Sequence, residues 1–183
     1  MYTLEDLVTD LRQATATQDF NAVQEAVRRA VAEKPLVSEP GRLQILHDEP
    51  GMTVVHVGVN PGFVSPPHEH CTWAVIGVYG GQEDNTFYRL VGATRAIEEA
   101  GGRTLRDREV MMLGEKAIHK IANPRGDSLH ALHVYGKNIF KIERSAWDPT
   151  SGIERPFDLK VAGPRVDSGK RETTRRRRTG VVH

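Results

Sequence analysis

The sequence predicts an all-β domain preceded by a pair of α-helices, and two changes of pattern carry this prediction. Before Pro35 the apolar residues recur at spacings of three and four, which is the period of an amphipathic helix. From Gly41 onward the period is two, in short runs rich in Val, Ile, Tyr and Phe that are broken by Gly, Pro, Asn and Asp. Short strands at such spacing are typical of a β-sandwich or a barrel.

Two helices are expected before the β region. Thr3 and Asp6 have the spacing of a capping box, and Asp19 is a candidate N-cap for the second helix. The apolar positions of the two helices are Leu4, Leu7, Val8 and Leu11, followed by Phe20, Val23, Val27 and Val31.

Seven strands are expected in the β region. They cover residues 42–47, 52–59, 72–79, 85–91, 109–113, 117–122 and 129–135. The segment 94–100 is compatible with a short helical interruption that Gly101 and Gly102 would stop. After Gly136 the pattern fades into a Pro-, Asp- and Gly-rich stretch that adds at most one edge strand.

Composition excludes several classes of protein. The single cysteine, Cys71, cannot form an intramolecular disulfide, and no run approaches the roughly 20 apolar residues of a membrane span. The N-terminus lacks the basic and apolar segments of a secretory signal, so we expect a cytoplasmic protein with no membrane partner.

The charge pattern divides the chain into three parts. Residues 164–183 carry seven Lys or Arg against two acids, whereas the preceding residues carry 18 against 22. This tail lacks interleaved aromatics, so a disordered, solvated segment is favoured over a nucleic-acid-binding arm. We therefore expect N-terminal helices packed on the barrel at 1–34, a barrel at 35–163 and a basic tail at 164–183.

Histidines form the candidate metal site. His68 and His70 are two apart, and residues i and i+2 of a strand point to the same face, so both imidazoles can reach one ion. Gly62-x5-His68-x-His70, with Gly114 and His119-x3-Asn123 about 50 residues later, resembles the two signature motifs of the cupin superfamily. The resemblance implies a double-stranded β-helix (jelly-roll barrel) with His68, His70 and His119 as metal ligands.

Departures from the general cupin pattern restrict the resemblance to particular groups of cupins. The motif glutamate beyond the second histidine is replaced by Ala74 and Val75, which cannot bind a metal. Three histidines without that glutamate resemble the cysteine dioxygenase-like thiol dioxygenases. The block from His68 to Arg89 is similar, more closely still, to bacterial predicted metal-dependent double-stranded β-helix enzymes.

The thiol dioxygenase resemblance implies further site residues. His133 and Tyr135 match the family's His-x-Tyr pair, with Tyr135 as an acid or hydrogen-bond donor to bound oxygen and His133 orienting it. Arg42 lies on an earlier strand, where the family keeps an arginine for the substrate carboxylate. The alternative for Arg42 is an exposed position on an edge strand. The alternative for Tyr135 is a packing role in the core.

Four further positions near the motifs are expected to have no direct part in the chemistry. The serine expected two residues before His133 is Ala131, which cannot orient an imidazole. Glu83 and Asp84 are favoured as part of a solvated hairpin turn over a contact to a substrate amine. Cys71 should point away from Tyr135 and pack as a small buried residue.

The expected function is an iron-dependent thiol dioxygenase that holds one Fe(II) per chain and oxidises a small thiol to a sulfinate with O2. Two alternatives stay open. One is another metal-dependent cupin enzyme, either a carbon-substrate dioxygenase or an isomerase, with Mn, Ni or Zn. The other is a non-enzymatic ligand-binding cupin. A homodimer is compatible with the helices and with an exposed β edge.

Overall fold

The computed structural model describes residues 1–33, 41–159 and 165–167. In these residues two helices precede twelve strands. The helices are α1 (Leu4–Ala16) and α2 (Phe20–Ala32), and the strands are β1 (Arg42–Glu49), β2 (Met52–Val59), β3 (His68–Glu69), β4 (Ala74–Gly80), β5 (Gln82–Val91), β6 (Ala96–Arg106), β7 (Val110–Leu113), β8 (Ile118–Ala122), β9 (Leu129–Tyr135), β10 (Ser145–Trp147), β11 (Glu154–Pro156) and β12 (Arg165–Asp167).

The strands form two six-stranded sheets. Sheet A has the order β12-β1-β2-β9-β4-β7, and sheet B has the order β11-β10-β3-β8-β5-β6. The pairings within the described strands are antiparallel, except that β12 runs parallel to β1. The predicted all-β core and the N-terminal pair of helices are confirmed.

The helices bury the outer face of sheet A. The capping box of Thr3 and Asp6 starts α1, and the Asp19 side chain caps α2, as the sequence predicts. Gly77 of β4 lets α2 approach closely, because a Cβ there would lie 2.7 Å from Val27 and 2.8 Å from Val31. One apolar core therefore lies between the helices and sheet A, and a second lies between the two sheets.

One predicted element is wrong. Residues 94–100 do not form a helix, since β6 begins at Ala96 and pairs with β5 as far as Arg106. Gly101 is opposite Phe87 at an irregularity in this ladder, with a positive φ of 126°, and is not a helix stop. Pairing with a neighbouring strand overrides the local helix propensity of Ala and Glu.

The C-terminal part differs from the expected single edge strand. Both β10 and β11 follow Gly136, and they extend sheet B beside β3. Arg165–Asp167 pairs with β1, and the rest of the predicted basic tail lies outside the described residues. Neither described helix has the length and apolar content that crossing a membrane requires.

Candidate metal centre

His68 and His119 face each other across two paired strands. They are direct partners in the antiparallel pairing of β3 with β8, so their side chains leave the sheet on the same face. The strand β3 ends at Glu69, so His70 lies just beyond it. Its ring nevertheless packs edge-on against His119, with ring centroids 4.9 Å apart. The structure thus brings the three predicted ligands together.

Backbone hydrogen bonds between the two motifs fix this arrangement. The amide of Gly62 donates to the carbonyl of Asn123 at 2.9 Å, and the amide of Ser65 donates to the carbonyl of Ile121 at 2.9 Å. The Ser65 hydroxyl accepts from the Ile121 amide at 3.0 Å. The loop that leads into His68 is therefore fastened to the strand that carries His119.

The three imidazoles bring one nitrogen atom each into a small group. One ring nitrogen from each of His68, His70 and His119 lies within 4.8 Å of the others, and the Nε2 atoms of His70 and His119 are 3.4 Å apart. An ion about 2.1 Å from each nitrogen separates its ligand atoms by roughly 3.0–3.4 Å in tetrahedral or octahedral geometry. These donors suit a divalent transition metal such as iron, manganese or zinc.

Burial keeps the three rings in the form that binds a metal. It lowers the pKa of His68 to about 4 and holds the pKa values of His70 and His119 well below the usual histidine value. A neutral ring has one N–H. His68 Nδ1 lies 3.0 Å from the carbonyl of Pro66, to which it donates. Its Nε2 atom is therefore unprotonated and has a lone pair for a metal.

Within the described residues no carboxylate joins this group. Ala74 and Val75 stand where the general cupin pattern has its glutamate, and both are fully buried apolar positions. Three protein ligands leave further positions of a cation open to small molecules, as in catalytic rather than structural sites.

His133 and Tyr135 lie beside the three histidines. The ring of Tyr135 packs edge-on against His70, with centroids 4.9 Å apart, and its hydroxyl is 3.1 Å from His133 Nδ1. Burial raises the pKa of Tyr135, so its hydroxyl stays protonated at neutral pH. His133 Nε2 in turn lies 3.2 Å from a carboxylate oxygen of Glu83.

The position of Glu83 corrects the sequence interpretation. Glu83 is not in a solvated turn, because β5 starts at Gln82 and the Glu83 side chain is fully buried inside the barrel. Asp84 points the other way and accepts from Gln82 and Thr104. A signal was present in the sequence, since the alternation from Glu83 to Asn85 places both polar residues on one face.

His68, His119 and His133 line a narrow cavity of about 50 Å³ between the sheets. Much of its wall is apolar, and one half-buried guanidinium, that of Arg144, also lines it. Arg42 does not reach this cavity, since its side chain is exposed and its neighbour Leu43 is the residue of β1 that faces inward. The sequence interpretation missed Arg144, which follows the last predicted strand in a stretch without clear periodicity.

Arg144 stands between the inner cavity and an open depression of about 810 Å³ at the surface. Its guanidinium lies 3.6 Å from the ring centre of Phe157, which packs on His68. Burial lowers the pKa of Arg144, and within the described residues no carboxylate forms an ion pair with it. A half-buried guanidinium of this kind is suited to receive an anionic group of a ligand.

Cys71 is half-buried rather than buried. It follows His70 in a left-handed backbone conformation, with φ of 53°, and is a free thiol. His130, by contrast, stacks on His56 outside the barrel interior, on the opposite side of β9 from His133.

No family model matches the sequence. An RmlC-like cupin family protein with a double-stranded β-helix fold from Methanocaldococcus jannaschii is 14% identical, with a TM-score of 0.45 over 54% of this chain and 82% of that one. The hydroquinone 1,2-dioxygenase PnpCD, solved with Cd²⁺ and 4-hydroxybenzonitrile, is 15% identical, with a TM-score of 0.46 over 61% and 76%. Oxalate oxidase is 17% identical, with a TM-score of 0.40 over 48% and 43%. The likeness to these proteins concerns the fold.

Loss of one histidine should abolish tight metal binding. We expect His119→Ala to lower the affinity for Fe(II) by more than about 100-fold, because loss of an outer partner of a ligand alone costs about 10–100-fold. Anaerobic calorimetry measures the affinity. His130→Ala is the matched control and should bind like the wild type, and equal affinity in His119→Ala would contradict the site.

Acid should destabilise the metal-free protein. The unfolded chain binds protons on these histidines below about pH 6.5, whereas folded His68 does so only near pH 4. The free energy of unfolding should therefore fall as the pH drops through this window, by about 3 kcal/mol for His68. Urea denaturation from pH 7 to 4 measures the slope. If His68→Gln shows the same dependence of unfolding free energy on pH as the wild type, the lowered pKa of His68 is contradicted.

Proposed function

We propose that this protein is an iron-dependent thiol dioxygenase that acts on a small thiol bearing a carboxylate. The observation that carries the proposal is the composition of the cavity: three neutral histidines facing one point, without an added carboxylate, beside the His133–Tyr135 pair and the Arg144 guanidinium. The net reaction adds both atoms of O2 to sulfur and converts RSH into RSO2⁻ and a proton.

Iron(II), when bound, supplies a Lewis acid that favours the thiolate form and the electrons that make O2 reactive. The side chains of the protein supply the ligands and the water-free surroundings. His68, His70 and His119 are neutral ligands, so the full positive charge of the cation remains available to an anionic sulfur. Their burial among apolar side chains excludes water from the reacting atoms.

Arg144 is the proposed site for the substrate carboxylate. Its planar guanidinium can donate two parallel hydrogen bonds to a carboxylate, and the ring of Phe157 holds it from one face. Because Phe157 also packs on His68, a carboxylate at Arg144 would lie a short distance from the metal ligands. The narrow inner cavity supports a substrate with a short chain between sulfur and carboxylate.

Oxygen uptake by protein loaded anaerobically with Fe(II) tests the function. We expect uptake with 3-mercaptopropionate or cysteine, much less with cysteamine, which lacks a carboxylate, and none in His119→Ala. Absence of uptake with every thiol, although iron is fully bound, would contradict the proposal and favour another metal-dependent reaction.

The role of Arg144 has its own variant in the same assay. Arg144→Gln should raise KM for the carboxylate-bearing thiols by about 30–1000-fold, since loss of a charge-assisted bidentate contact costs about 2–4 kcal/mol, while changing cysteamine oxidation little. Arg42→Gln is the matched control on the outside of the barrel and should leave KM unchanged. An effect of Arg42→Gln instead would return the carboxylate site to Arg42.

A further inference from the structure

A continuous chain of hydrogen-bonding groups connects a metal ligand to Tyr135 through the barrel interior. His119 Nδ1 lies 2.8 Å from Asn85 Oδ1, and Asn85 Nδ2 lies 3.0 Å from Glu83 Oε1. The other oxygen of Glu83 is 3.2 Å from His133 Nε2, and His133 Nδ1 is 3.1 Å from the Tyr135 hydroxyl. All five side chains are buried, so each must find its partner within the protein.

The donor-to-acceptor direction of these hydrogen bonds is fixed at the His119 end. A histidine that offers Nε2 to a metal carries its proton on Nδ1, so His119 donates to Asn85 Oδ1. The amide nitrogen of Asn85 is then the atom directed at Glu83, and it can only donate. Glu83 therefore accepts at Oε1.

The direction continues from Glu83 to Tyr135. A buried carboxylate is stable only where donors surround it, and the atom facing its second oxygen is His133 Nε2. In a ring that carries one proton, a proton on Nε2 leaves Nδ1 as an acceptor. The Tyr135 hydroxyl therefore directs its hydrogen at His133 and leaves its oxygen lone pairs toward the cavity.

We propose that Glu83 is the positioning residue that sets the tautomer of His133 and so makes Tyr135 a hydrogen-bond acceptor toward the substrate. The group it accepts from is the thiol S–H, which Tyr135 orients before the proton leaves. This inference rests on the proposed function for the identity of the substrate. It replaces the expectation that Tyr135 donates to bound oxygen.

Glu83 also explains the departure at Ala131. The motif that the sequence resembles places a serine two residues before the histidine of the pair, and Ala131 has no polar atom to offer. Glu83 reaches His133 from the opposite sheet, since β5 belongs to sheet B and β9 to sheet A. A carboxylate differs from a hydroxyl in one decisive way, because it can only accept.

The tautomer can be measured on the full-length protein loaded with Zn²⁺, which is diamagnetic and keeps His119 Nε2 on a metal. Long-range ¹H–¹⁵N correlation spectra of ¹⁵N-histidine-labelled protein identify the protonated nitrogen of each ring, and the His133→Gln spectrum assigns His133. We expect the proton on Nε2 in the wild type. A wild-type protein with the proton on Nδ1 overturns the proposal whatever the variants do.

Two variants separate polarity from packing. Glu83→Gln keeps the shape but presents an N–H to His133 Nε2, so the proton should move to Nδ1, whereas Glu83→Asp keeps an acceptor and should retain the wild-type tautomer. Asp84→Asn, on the outer face of β5, is the matched control and should change nothing. An unchanged tautomer in folded Glu83→Gln overturns the proposal.

Steady-state kinetics with the iron-loaded protein supply the second readout. In Glu83→Gln the Tyr135 hydroxyl would point the other way, so KM for the thiol should rise by about tenfold at unchanged iron content, which is the value of one hydrogen bond. In Glu83→Asp, KM should stay close to that of the wild type. An equal loss in both variants overturns the role of polarity. A wild type that turns over no thiol removes the proposed function and the substrate identity, while the NMR result still decides the tautomer.

Discussion

The register between β3 and β8 is the constraint on which the site depends. It places His68 opposite His119, and a slip of one residue would turn one of these side chains to the other face of sheet B. A two-residue strand specifies little by itself. The bonds that join Gly62 to Asn123 and Ser65 to Ile121 hold the register, and β10 pairs with the other edge of β3. The metal centre is thus built into the closure of the barrel.

The polar interior follows from this closure. Once three imidazoles face inward among apolar residues, the buried groups around them need partners of defined polarity. Asn85 and Glu83 provide these on the side of His119, and the arrangement extends without a break to His133 and Tyr135. Arg144 is the exception within the described residues, since its partner is the face of Phe157 and its hydrogen-bond donors are available to a ligand.

Sequence periodicity predicts most of the fold because strands such as β2 and β9 alternate or run apolar along their whole length. It fails at 94–100, where local propensity favours a helix and pairing with β5 decides otherwise. The motif spacing identifies the three histidines. It could not find Glu83 or Arg144, because the contact of Glu83 with His133 crosses between sheets and Arg144 lies in a connection without periodicity. The alternation of Glu83 with Asn85 places the two side chains on one face of the strand but does not identify a partner in the other sheet.

The proposed function requires this cavity to direct both atoms of O2 onto the sulfur of a thiol. Mass spectrometry of the product formed from 3-mercaptopropionate under isotopically labelled O2 tests it most directly, with Fe(II)-loaded wild-type protein and His119→Ala in parallel. We expect a sulfinate that carries two labelled oxygen atoms and appears only with the wild type. A disulfide, or a product that takes oxygen from water, would contradict it.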